Sequence, residues 1–175
     1  AGYLGNQGTA PSTFVAKYAS QNPTNREVAL SYNLYERESR YFSELDSLTS
    51  AISPALYYTI NEGENFIILM EDMSDYEVGS QVVGATLEQT ELAVDELAKL
   101  HGTFWQKVAK LDWVPGIANS YHADNMDQLA NFGWDSMVKA FKIPDHINQY
   151  KDAFLKAIPA LQAERNDAPA TLCHG

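Results

Sequence analysis

The chain has 175 residues, 45% of them hydrophobic, with 12 basic against 23 acidic side chains and a formal net charge of −11. This is enough apolar material for one domain or two small lobes with a real core, whereas no apolar run approaches the roughly 18 residues of a membrane span. The acidic excess argues against nucleic acid, whose phosphates it would repel, and the single cysteine, Cys173, rules out an intrachain disulfide or a cysteine zinc site.

Taken in chain order, the first element is a strand over residues 13–19, rich in β-branched and aromatic side chains, with Thr13, Val15, Lys17 and Ala19 on one face. A helix is predicted to open at Thr24, which can cap it while Glu27 closes a capping box. Leu34, Tyr35, Tyr41, Phe42 and Leu45 then recur at helical spacing, and Glu38 falls within their stripe. A carboxylate there needs a cation, because an unpaired buried charge costs several kcal/mol or more. Lys17 is the nearest candidate on a neighbouring element, with Arg26, Arg37 and Arg40 as the solvated alternative.

Leu56–Ile60, the turn at 61–65 and Phe66–Glu71 read as a hairpin, followed by a linker with Gly79 and Gly84. Thr86 and Gln89 form a second capping box, opening a helix whose buried stripe is Leu87, Ala93, Val94, Leu97, Leu100 and Phe104. The chain turns at Pro115, and further helices are predicted over 126–141 and 147–161, separated by Pro144 and closed near 166–169. Cys173 reads as a buried strand residue with nothing beside it to activate a thiolate, and His101 as a core histidine. His122 with Asp124 and Asp127, and His146 with Asp145, lack regular ligand spacing, so no metal residue is assigned. Trp105, Trp113, Tyr121, Phe132 and Trp134 concentrate aromatic surface, and core packing is the expected use of it.

Five segments fall in a recognisable order: Val15-Ala16-Lys17, Glu38-Ser39-Arg40-Tyr41-Phe42, Leu69-Met70-Glu71-Asp72-Met73, Leu100-His101-Gly102-Thr103-Phe104-Trp105 and His174-Gly175. Together they resemble the aminoglycoside phosphotransferase and choline kinase-like superfamily, including its ecdysteroid kinase-like members. These small-molecule kinases pair a strand lysine with a helix glutamate. The resemblance implies an α+β, protein-kinase-like two-lobed fold, with a nucleotide lobe at 1–73 and a partial helical lobe at 74–175.

It further implies ATP and Mg2+ as cofactors and a small hydroxylated acceptor as partner. In this resemblance Lys17 meets the phosphates and Glu38 positions it. Val15 and Met70 line the adenine pocket, and the Glu71 carbonyl and Met73 amide meet the adenine edge. His174 opens the catalytic loop in a structural role. The family's catalytic aspartate, a later asparagine and a magnesium-binding aspartate would follow Gly175, and Gly2, Gly5 and Gly8 do not make a convincing phosphate loop. The chain is therefore expected to be a piece of a longer, cytoplasmic protein. Two other readings stay open, a nucleotide-binding scaffold without catalysis and a helical interaction domain.

Overall fold

A computed structural model describes residues 8–63, 65–116 and 121–173. Gly2, Gly5, His174 and Gly175 of the motifs above, and Glu64 of the hairpin turn, lie outside the described residues. Two compact units are formed, one running to Trp105 and taking in the segment from Thr171, the other Gln106–Ala170.

The first unit is built on a three-stranded antiparallel sheet in the order β1-β3-β2, with β1 Val15–Tyr18, β2 Leu56–Glu62 and β3 Asn65–Met70. The central place of β3 accounts for its unbroken apolar run Phe66–Met70, since a strand flanked on both edges has little polar surface to offer. Phe66 and Ile68 are its buried residues. Glu62 pairs with Asn65, so two residues turn the chain, and Gly63 supplies the left-handed φ of 67° that such a tight turn favours. Tyr57 is the extra residue of a bulge between Leu56 and Tyr58.

The expected helix over residues 24–45 is instead a series of short pieces. Helix α1 spans Pro23–Ser31 and α2 spans Leu34–Arg40, separated at Asn33, which takes φ 52°. The cap is Asn22, whose side chain accepts the Asn25 N–H at 3.2 Å, and not Thr24 with Glu27. Pro23 explains the difference, because its fixed φ and missing N–H suit the first helical position and move the start two residues earlier. After α2 the chain widens into a π turn at Tyr41–Leu45 and then tightens into a 3₁₀ turn at Asp46–Leu48. Leu45, at the end of the π turn, is buried, whereas Leu34 at the start of α2 is exposed, against the expected stripe.

Helix α3, Leu87–Phe104, opens on the expected box: Thr86 N–H donates to Gln89 Oε1 at 2.9 Å and Gln89 N–H to Thr86 Oγ1 at 3.2 Å. Its stripe is buried only at the far end. Leu100 and Phe104 are 8% and 4% exposed, whereas Leu87 is 76% exposed and Val94 and Leu97 are also open. The C-terminal half is anchored by Glu96, which accepts the Ile52 N–H at 2.7 Å, and by Thr171, whose hydroxyl donates to the His101 carbonyl at 2.7 Å. Leu172 is buried and Cys173 is exposed outside any strand, which corrects the expected buried cysteine.

The second unit contains α4 Tyr121–Asp124, α5 Met126–Ala140, α6 Asp145–Asn148 and α7 Lys151–Asn166. The helix expected at 147–161 thus begins as a separate turn after Pro144 and runs past Pro159. Trp134 donates to Asn148 at 3.0 Å and packs on Phe154 at a ring distance of 5.9 Å, while Lys151 pairs with Asp135 at 2.8 Å. Phe132 and, in the first unit, Trp105 are exposed, so these two aromatics do not serve a core.

Candidate active site

Position on the sheet follows from register. Lys17 stands opposite Ile68, and Thr59 stands opposite Ile68 from the other side, so Lys17, Ile68 and Thr59 form one row across all three strands. Directly paired residues project from the same face. That face is the one covered by α2, where the Tyr35 ring stacks on Phe66 at 4.6 Å and Ser39 meets Thr59 at 2.6 Å. The row is closed at its β1 end by Glu38, whose Oε1 accepts from Lys17 Nζ at 2.5 Å. The expected partnership is therefore present, and Arg26 and Arg40 are engaged elsewhere, whereas Arg37 Nε is buried without a hydrogen-bond partner among the described residues. Arg40 pairs with Glu44 at 2.7 Å and Glu36 at 3.5 Å, and Arg26 donates to the Ser20 carbonyl at 2.9 Å.

The reason given for the pair needs correcting. The Lys17 and Glu38 side chains are 51% and 30% exposed, so neither charge is buried and stability does not demand the contact. An ion pair this open is worth about 0–1 kcal/mol. Its significance is geometric. Ammonium has three donors and one is spent on Glu38, so two are left without a partner among the described residues.

Val15 pairs with Met70 in the next row, on the same face as Lys17. An apolar surface thus adjoins the ammonium. Beyond β3 the Glu71 N–H donates to the Ala55 carbonyl at 2.9 Å, and its carboxylate accepts the Ala55 N–H at 3.1 Å. The Met73 carbonyl accepts the Tyr76 N–H at 2.9 Å. These bonds leave the Glu71 carbonyl and the Met73 N–H without a partner among the described residues. Between them Asp72 shapes the turn. The Ser74 N–H, then the Ser74 and Thr13 hydroxyls, hold its carboxyl below the usual range. Val15 and Lys17 on β1, Glu38 on α2, Met70 at the end of the central strand β3, and Glu71 and Met73 just beyond it all lie in the first unit.

A family model for the ecdysteroid kinase-like family matches residues 4–175. The chain belongs to this family. Its members fall within the choline kinase and aminoglycoside phosphotransferase-like superfamily, and the α+β architecture of a small antiparallel sheet with helices agrees with their kinase-like fold. The membership indicates a kinase-like small-molecule phosphotransferase. No curated protein and no solved structure matches the chain at a comparable level. Among the described residues no helix is long and apolar enough to cross a membrane.

Two features of the site escaped sequence reasoning. The Ser39–Thr59 contact pairs two residue types that are usually surface polar, and its signal was the small Ser39 beside Glu38 in an apolar stripe. The second is Tyr35, whose hydroxyl accepts the Ser20 N–H at 3.1 Å and ties the end of β1 to α2.

Proposed function

We propose that the protein takes part in transferring the γ-phosphoryl group of ATP to a hydroxyl of a small molecule. The observation that carries this reading is the Lys17–Glu38 pair at 2.5 Å beside the Val15–Met70 surface. ATP supplies the phosphoryl group. Lys17 neutralises charge on the α- and β-phosphates with its two remaining donors, and Glu38 keeps a flexible four-carbon stem from wandering. Val15 and Met70 pack against the adenine ring. The Glu71 carbonyl and Met73 N–H pair with its edge, a role for which both groups are available. The nucleotide lobe is placed at residues 1–73 and the helical lobe from 74 onward, in a cytoplasmic protein.

Magnesium enters this reading through the family alone. Among the described residues no three His, Cys, Asp or Glu side chains converge on a point, so they supply no donor set for it. By resemblance the base and metal ligands would follow His174-Gly175.

The test is a map of amide shifts during an ATP titration by two-dimensional NMR. Perturbations should concentrate on Val15, Lys17, Met70, Glu71 and Met73. Saturable shifts confined to other residues, or none at millimolar ATP, contradict the reading.

A further inference from the structure

Ser39 is 5% exposed, a buried polar residue, and it occupies the position next to Glu38. Its hydroxyl lies 2.6 Å from that of Thr59, which in turn donates to the Ile67 carbonyl at 3.2 Å. Either hydroxyl can donate within the pair, and Ser39 is the donor whenever the single Thr59 proton goes to Ile67. Two contacts thus join α2 to one sheet row, Glu38 to Lys17 on β1 and Ser39 to Thr59 on β2, on either side of Ile68, which is 0% exposed.

Consecutive helix residues point about 100° apart, so both can reach the sheet only when the line bisecting them faces it. A rotation of α2 that improves one contact lengthens the other. The exposed ion pair is too weak to fix that rotation by itself, and the part-buried hydroxyl pair, with Ser39 itself enclosed, is less open to competing water. Directly after α2 the chain enters the π turn, where helical winding changes. There the Ser43 hydroxyl donates to the Ser39 carbonyl at 2.9 Å, so Ser39 is held through its backbone as well as its side chain.

We infer that Ser39 and Thr59 are positioning residues that set the rotation of α2 and thereby present Glu38 to Lys17. This deepens the phosphotransferase reading and rests on it for its functional meaning, but the geometry can be tested without nucleotide. A lysine stem held against a carboxylate is less free to meet an acylating reagent, so its release raises the acylation rate. The readout is the acetylation rate of Lys17 by a small amine-reactive ester, quantified by peptide mass spectrometry on the folded protein, with Lys99 and Lys151 as internal controls.

Glu38→Gln should raise the Lys17 rate severalfold and sets the scale. Ser39→Ala and Thr59→Val should each approach that value, and Thr59→Ser, which keeps the hydroxyl, should stay at the wild-type rate. The inference is overturned if Ser39→Ala and Thr59→Val leave Lys17 unchanged. It is equally overturned if all three lysines accelerate together, since that reports general loosening. For the functional half, Ser39→Ala should weaken ATP binding in the wild-type background and have no further effect in Lys17→Met. Additive losses in the two backgrounds would contradict action through Lys17. Failure of the wild type to bind ATP removes the phosphotransferase reading and leaves the acetylation rates to decide the positioning claim.

Discussion

At residue scale, the Lys17–Glu38 contact separates energetic from geometric importance. Both side chains are too exposed for the pair to govern stability. Glu38→Gln should therefore lower unfolding free energy by no more than about 1 kcal/mol in urea titration. ATP affinity in the same variant should fall, because the lysine stem loses its anchor while its charge remains. A collapse of stability would instead make Glu38 a structural counter-ion. The Tyr41 phenol illustrates the opposite case, where burial, reinforced by Asp46, pushes its ionisation up. Asp46 also takes the Ser53 hydroxyl, which ties the turn after α2 to the segment leading into β2.

At the scale of elements, α3 divides into a working and an idle half. Leu100 and Phe104 are enclosed, so Leu100→Ala should cost about 2–5 kcal/mol and Phe104→Ala about 3–5 kcal/mol. Leu87→Glu and Val94→Glu lie on the open half and should stay within about 0.5 kcal/mol of wild type, as measured by thermal or urea unfolding. The same contrast shows what periodicity can carry. The α3 stripe was legible as a helix face, and its capping box as a helix start, because both are local. Which part of that face is covered depends on residues 49–52 and 171–172, brought in from far along the chain.

For α1 and α2 local reading erred in a different way. The spacing of Leu34, Tyr35, Tyr41, Phe42 and Leu45 assumed uniform winding; Asn33 is a residue type that tolerates the left-handed region, whereas nothing in residue type marks the π turn. The hairpin was accurate to within two residues, since Gly63 marks the turn and the apolar run marks the central strand. The lysine and glutamate were visible because each is a charge within an apolar pattern, although neither turns out to be buried. Ser39 and Thr59 were not, because hydroxyls are satisfied in many ways and their partnership exists only once α2 lies on the sheet.

At the scale of the whole molecule, acidity sets the pH response. Asp72, Glu96 and Asp135 are held below their ordinary ranges, by the Ser74 N–H, by Lys99 and by Lys151 respectively as the leading causes. A carboxyl depressed in the folded state stabilises fully above its unfolded pKa, and that contribution is lost as pH falls through the folded value. Melting temperature should accordingly be flat near neutrality and decline below about pH 4. Tyr41 acts at the other end. Its raised folded pKa leaves its contribution intact below about pH 10 and removes it as pH rises further. A maximum near pH 4 in calorimetry would contradict this assignment of the carboxylates.

In the proposed function Lys17 is a phosphate ligand beside the apolar Val15–Met70 surface. The most direct measurement is calorimetric titration of ATP and of adenosine into wild-type protein and Lys17→Met, which keeps most of the stem while removing the charge. A charge-assisted hydrogen bond is worth about 1.5–3 kcal/mol, so ATP affinity should fall by roughly 10- to 150-fold in the variant. Adenosine affinity should remain near the wild-type value, since Val15, Met70 and the Glu71–Met73 backbone do not depend on that charge. Equal affinities for ATP in the two proteins, or a parallel loss for ATP and adenosine, would contradict the account.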